Sequence, residues 1–440
     1  MSKSFKRITN LMMLLFISVA FPSFAQSTSI NGTYKIVVTG YDWGPAVNRV
    51  ILSLDSPIDK IDLNDLSVVE SKNWYPKKQN EGFSVSSFNR TILNAYLSDE
   101  NGNEVKKASK FLTLDLKVSP TEGSPFLYDF MVTQFNNWCD PYYLTIKLAE
   151  NKSLVSGTNT ITKINIDKTF TARIMPEADK FKMGKFKSDN ITIDYASYSP
   201  KKDDKKNALI IWLNGLGEGG HDPYISLLGN KVTALASDET QKLLKNAYVL
   251  VPQSPTFWMD NGSGDISKFN GVSKYDKALM DLIKNFVDNN PDINKAKIII
   301  GGCSNGGFMA LRTVLLNPTY FSAAYPICEP YRNDLLTDDM IKTLKDVPMW
   351  FTFAINDKVV PPMINEVPTL IRLSDAGAKN LHISVFSNVK DTTGLYKNDK
   401  GTPYEYDGHW SWLYALNNEC VEKGVSLFEW AEAQTNPNVK

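Results

Sequence analysis

Few stretches limit a fold as tightly as Lys297 to Phe308, which reads Lys-Ile-Ile-Ile-Gly-Gly-Cys-Ser-Asn-Gly-Gly-Phe. The β-branched run Ile298, Ile299, Ile300 predicts a strand buried on both faces. Phe308, Met309, Leu311, Val314 and Leu315 then recur at helical spacing. Between strand and helix stands Ser304, with Gly302 and Gly306 two residues to either side. A chain that turns this sharply needs both glycines, because neighbouring backbone passes where a side chain would sit. The turn lifts the serine hydroxyl above the sheet. It also sets the first amides of the helix where a developing negative charge would be stabilised. Ser304 is the candidate nucleophile, and Asn305 supplies one candidate backbone donor.

The rest of the chain divides in two. From Ile30 to Arg173 the pattern is strand throughout, with segments at Tyr34–Val38, Arg49–Leu54, Thr91–Leu97, Phe111–Val118, Phe126–Gln134, Tyr143–Leu148 and Ile161–Ile166. Gly, Asn, Asp, Ser and Pro clusters separate them, as in an immunoglobulin-like sandwich. This stretch contains no histidine. After Pro176 the pattern alternates. Ala208–Leu213, Ala247–Val251, Lys297–Ile300, Ala323–Ile327, Met349–Phe353 and Leu381–Phe386 predict strands, and Tyr275–Val287 predicts an amphipathic helix. Alternation of this kind gives a doubly wound, mostly parallel sheet, so the fold class is α/β with an all-β domain in front. The expected division is residues 26–175 for the sandwich and 176–440 for the α/β domain. Two domains also suit a chain of 440 residues.

Residues 1–25 are expected to be a signal peptide. Lys3, Lys6 and Arg7 precede the apolar run Leu11–Phe21, and Ser23-Phe24-Ala25 resembles a cleavage site. The run is short for a membrane span, and no cysteine follows it for a lipid anchor. The mature chain is expected to begin near Gln26 and to reside in the periplasm or outside the cell, free of the membrane. Formal net charge is zero, which gives no reason to expect a nucleic-acid partner. Cys303 and Cys328 each end a predicted strand, on neighbours in the sheet. Either a bridge or two buried thiols is open there, and free thiols are the expected outcome.

A serine hydroxyl needs a base to take its proton. Of the three histidines, His382 opens a strand and His221 precedes the serine. His409, in Asp407-Gly408-His409-Trp410-Ser411-Trp412, follows it and is the candidate base. The acid is expected in a loop between them. Asp357 follows the strand Met349–Phe353 directly, and Asp391 and Asp407 are the alternatives. The loop Asn214-Gly215-Leu216-Gly217-Glu218-Gly219-Gly220 can turn amides inward, and Leu216 is the second candidate oxyanion donor. Trp258, Tyr331 and Trp410 are candidate pocket aromatics, with a core position the favoured alternative for Trp258 and Tyr331 and an equal one for Trp410. No metal motif or cofactor motif is present; Asp260 to Asp265 is only faintly like a calcium loop.

Taken together, Gly-Gly-Cys-Ser-Asn-Gly-Gly, Asn-Asp-Lys-Val-Val-Pro and Gly-His-Trp-Ser-Trp resemble the α/β-hydrolase esterases, in the prolyl-oligopeptidase-like and polyhydroxybutyrate-depolymerase-like branch. Tyr41-Asp42-Trp43-Gly44-Pro45-Ala46-Val47 is similar to the Ig-like N-terminal domain of EstA-type esterases. The resemblance implies carboxylesterase activity through Ser304, Asp357 and His409, and homo-oligomeric assembly through the Ig-like domain. Asn214 stands where that family's oxyanion segment reads histidine. Short acyl esters, acetylated or feruloylated polysaccharides and polyester oligomers all fit such a site. Two rival readings are a secreted serine peptidase of the same branch and a glycan- or ligand-binding protein that keeps the fold without the chemistry.

Overall fold

The computed structural model describes residues 27–75, 82–129, 132 and 134–439. The expected signal peptide lies outside the described residues. Among those residues no helix is long and apolar enough to cross a membrane.

The first domain is a sandwich of a seven-stranded and a three-stranded sheet. The larger sheet is built on Ser27–Tyr41 and Gly44–Ile58, which pair antiparallel. In the smaller sheet Leu66–Trp74 lies between Ser84–Arg90 and Tyr142–Leu148. Tyr34, Ile36, Leu52, Leu112, Leu114 and Leu144 fill the space between the sheets. Two of the small-sheet strands were not expected, for a physical reason. Leu66–Trp74 carries Glu70, Ser71 and Lys72 at its centre, all buried. Glu70 is satisfied by partners distant in sequence, accepting from Arg90 at 3.2 Å and from the Tyr142 hydroxyl at 2.6 Å, and it in turn pairs with Lys72 of the same strand at 3.1 Å. Ser84–Arg90 is a mostly exposed edge strand. Conversely, the strand expected over Phe126–Gln134 is limited, among the described residues, to Phe126–Leu127, which pairs with Asn137–Trp138.

The second domain holds an eight-stranded sheet whose strands we number in chain order: β1 Lys182–Ser188, β2 Ile191–Tyr198, β3 Asn207–Leu213, β4 Tyr248–Gln253, β5 Ile293–Cys303, β6 Ala323–Ile327, β7 Met349–Ala354 and β8 Leu381–Phe386. Their spatial order is 1-2-4-3-5-6-7-8. All neighbours from β4 to β8 run parallel, and the β1–β2 hairpin joins antiparallel. The central strands are buried along their whole length in β3, β4, β6 and β7, as strands covered on both faces must be. The hairpin alternates at a half-exposed edge, which left it without a clear apolar run in the sequence. The helix expected over Tyr275–Val287 spans Asp276–Asn289.

One hydrophobic cluster fills the sandwich and continues across one face of this sheet, through Leu227, Leu228, Trp212 and Trp350; a second covers the other face. The two domains therefore share a core. Polar contacts reinforce the junction. Buried Asp42 of the sandwich accepts from Lys231 at 2.9 Å and from Asn417 at 3.2 Å, and Trp138 Nε1 donates to Asp222 at 2.8 Å.

Candidate active site

Ser304 sits between β5 and the helix Asn305–Leu316 with φ 53° and ψ −120°. A β-carbon disfavours that region, so the turn stores about 1–3 kcal/mol of strain and persists only because its surroundings fix it. The fixing is visible. Ser304 N–H donates to Ile327 O at 2.8 Å, and Cys328 N–H donates to Thr352 O at 2.8 Å, extending the sheet ladder past the strand ends. Gly302 has no room for a side chain: a β-carbon there would meet the Gly306 backbone at 2.9 Å and Leu213 O closer still.

Asp357 follows β7 and is buried. Its Oδ1 accepts from the amides of Val359 and Val360, both at 2.8 Å, and its Oδ2 lies 2.7 Å from His409 Nδ1. One carboxylate oxygen thus caps its own turn and the other orients the imidazole, leaving Nε2 as the histidine's free proton carrier. His409 lies in the short turn Gly408–Trp410, edge-on to the Trp412 ring, and lines the same cavity as Ser304. The alternative acids serve local structure. Asp407 accepts from the His409 amide at 2.9 Å, and Asp391 accepts from Thr393 Oγ1 and the Gly394 amide. His221 pairs with Asp194, and His382 stacks on Trp350. Cys328 brings its sulfur within 4.8 Å of ligand atoms of Asp357 and His409, a set that could hold a metal ion, but the carboxylate and imidazole already face one another.

Leu216 opens the 3₁₀ turn Leu216–Glu218 and Asn305 opens its helix. First-turn amides have no intrahelical acceptor. Both residues line the cavity beside Ser304 and His409, an arrangement that can hold an oxyanion formed on attack at a carbonyl.

This geometry can be set beside known proteins. Residues 33–163 match the family described as the esterase Ig-like N-terminal domain, and residues 199–370 match the family described as phospholipase/carboxylesterase. The second match includes Ser304 and Asp357 and ends before His409. The chain thus joins an esterase Ig-like domain to a carboxylesterase domain. No match is found among curated proteins. Among solved structures, that of a thermostable esterase aligns with 91% of this chain and 99% of its own, at a TM-score of 0.70 and 21% identity, which shows the shared two-domain fold. An acylaminoacyl peptidase from Pyrococcus horikoshii (88% of this chain, 72% of its own, TM-score 0.40, 14% for a second crystal of it and 13% here) and a ferulic acid esterase (54% and 95%, TM-score 0.39, 13%) resemble it only loosely.

The esterase's cavity measures about 750 Å³ and both domains wall it. The sandwich contributes Trp43, Trp74, Phe126 and Tyr128; the hydrolase domain contributes Met259, Val360, Trp410 and Trp412. Of the candidate pocket aromatics Trp410 lines this cavity, whereas Trp258 and Tyr331 do not, and the reason is packing. Trp258 is fully buried with Nε1 donating to Asn214 Oδ1 at 3.2 Å, and Tyr331 is 1% exposed with its hydroxyl donating to Gly271 O at 3.1 Å. Both are core residues outside the cavity wall.

In the esterase Asn214 does the work of fixing the loop base. Its Nδ2 donates to Gly215 O at 2.7 Å and to Ser254 Oγ at 3.3 Å, while its Oδ1 accepts from Ser254 N at 3.1 Å as well as from Trp258. Glu218, four residues on, was not singled out in the sequence. It is buried behind the loop, and burial pushes its carboxyl up to about 7 against the hydrogen bonds that it accepts. All four cysteines are buried free thiols; no bridge joins Cys303 to Cys328.

Proposed function

We propose that this chain is an exported serine carboxylesterase in which Ser304, His409 and Asp357 act as a catalytic triad. The observation that carries the reading is the 2.7 Å contact of buried Asp357 with His409 Nδ1 in a cavity that the strained Ser304 also lines. Ser304 Oγ attacks the ester carbonyl as His409 Nε2 takes its proton, and the Leu216 and Asn305 amides hold the oxyanion. His409 returns the proton to the departing alcohol. Water, deprotonated by the same histidine, then releases the acid. Asp357 holds the imidazole in the tautomer that can accept, and stabilises the imidazolium.

A cavity of this volume, with Trp43, Trp74, Phe126, Tyr128, Trp410 and Trp412 in its wall, suits esters with a bulky apolar or planar portion, such as aryl or aromatic-acyl esters, better than acetate alone. Export is supported by the basic, apolar and small-residue order of the first 25 residues. Hydrolysis of a p-nitrophenyl ester series from acetate to octanoate, with a naphthyl or cinnamoyl ester alongside, tests the reading. Turnover in the wild type and loss of at least about 10³-fold in Ser304→Ala are expected. An inactive wild type across the series, or an active Ser304→Ala, would sink it.

A further inference from the structure

The loop that carries Leu216 is held from two sides. Beneath it lie Asn214 and its partners, all within the hydrolase domain. Above it lies the sandwich. Phe135 packs so closely on Gly219 that a β-carbon there would meet its ring at 2.9 Å, and a β-carbon on Gly217 would meet Tyr128 at 3.4 Å. Between these two aromatics Asn136 makes three hydrogen bonds to consecutive loop residues. Its backbone N–H donates to Gly217 O at 2.6 Å. Its Nδ2 donates to the same oxygen at 3.1 Å and to Glu218 Oε1 at 2.9 Å. Glu218 passes that restraint inward. Its carboxylate also accepts from Gly215 N–H, and its carbonyl accepts from Gln253 Nε2 at 2.9 Å and from Ser226 Oγ at 3.2 Å.

We infer that Asn136 of the N-terminal domain is a positioning residue for the oxyanion loop, setting the Leu216 amide through Gly217 and Glu218. The inference rests on the reading of Leu216 as an oxyanion donor. The mechanism is orientational. The 3₁₀ turn Leu216–Glu218 is one turn long and ends on the bond from Gly219 N–H to Leu216 O at 3.1 Å. Its peptide planes would otherwise rotate easily, since Gly215, Gly217 and Gly219 all lack side chains. Pinning the Gly217 carbonyl from outside removes that rotation. An amide donor aimed at the transition state contributes only while its direction is preserved. The ground-state carbonyl depends on it less, so the loss of Asn136 is expected in kcat and not in KM.

Asn136→Ala and Asn136→Asp in the mature two-domain chain test this. Both keep the backbone bond to Gly217, and the alanine removes the donor alone. The aspartate keeps the side chain's shape while setting a carboxyl against Glu218 and the Gly217 carbonyl, so a larger loss in the aspartate is expected from the same contact and not from a packing defect. Expected is a fall in kcat of about tenfold or more with KM within about twofold. Affinity for an alkyl trifluoromethyl ketone, which forms a tetrahedral adduct on the serine, should fall in parallel with kcat/KM, while affinity for the product alcohol stays unchanged. Leu216→Pro, compared with Leu216→Ala, separates the two readings. Proline suits the first position of a helical turn, and Gly215 before it is extended (φ −66°, ψ 178°), so the change removes chiefly the N–H. If the proline variant is no slower than the alanine variant, Leu216 is not a donor, and the inference falls with that reading. If the proline variant is inactive but Asn136→Ala keeps wild-type kcat and ketone affinity, the inference alone is overturned. A raised KM at unchanged kcat would overturn it too, making Asn136 part of the cavity wall.

Discussion

Gly306→Ala is the change that asks most of this structure. Gly306 opens the second position of the helix after Ser304, where it lies against the end of β3. A β-carbon added there would stand 2.5 Å from the Leu213 carbonyl carbon and 2.7 Å from Asn214 O, with Leu213 O nearer still. All of these are backbone atoms, so no rotamer change relieves the contact. Real β-carbons almost never come within 3.0 Å of a neighbour, so helix and strand must part by at least about 0.5 Å in a tightly packed sheet. Overpacking of this kind costs about 3 kcal/mol, the upper end of the usual range, because the yielding atoms are main chain. For a domain of this size that lowers Tm by roughly 6 °C. The same displacement moves Asn214 and with it the Leu216 amide, so kcat/KM should fall at least about tenfold even in the folded fraction. Differential scanning fluorimetry and p-nitrophenyl butyrate turnover read both quantities. Gly82→Ala, where nothing lies within 4 Å of the added carbon, is the control. A Gly306→Ala enzyme within about 1 °C and twofold of wild type would refute the claim that the elbow and the oxyanion loop share one rigid contact.

Two further outcomes follow from burial. Glu218 is held up to about 7 against an ordinary value of 4.5, so folding binds a proton between those limits. Its contribution to stability is greatest below pH 4.5 and is lost as pH rises through 7, by about 3 kcal/mol in all. Denaturant unfolding at pH 5 and pH 8 should show Glu218→Gln lacking that decline; equal slopes in both proteins would remove Glu218 from the account. Burial also raises all four thiols, Cys139 to about 12 and Cys420 to about 11. Ellman's reagent at pH 8 should therefore find none in the native protein and four in denaturant, and rapid native reaction of any thiol would contradict the packing.

What the sequence showed and what it hid divide along a physical line. The elbow was legible because a β-branched strand, paired glycines and an apolar helix face are all local signals. His409 and Asp357 were legible because chain order and strand ends limit where a base and its acid can stand. Leu66–Trp74 was hidden because Glu70 and Lys72 read as exposed charges, whereas burial is made tolerable by their own pairing together with Arg90 and Tyr142, which reach Glu70 from other strands. Trp258 and Tyr331 stayed ambiguous for the opposite reason: an aromatic beside a predicted site looks the same in sequence whether its ring faces a cavity or, as here, a core. Asn136 carried no signal, since an asparagine in a polar loop is ordinary, and Glu218 showed only as a member of the glycine-dense oxyanion segment; their contact exists only because two domains bring them to 2.9 Å.

A cavity with one wall on each domain makes substrate choice a property of the junction. The groups proposed to break the bond all lie after residue 200, whereas Trp43, Trp74, Phe126 and Tyr128 come from a stretch that holds none of them. Evolution can therefore vary those rings without touching the groups that move protons. Selectivity can shift through the outer rings, while turnover stays tied to the part of the sandwich that grips the oxyanion loop.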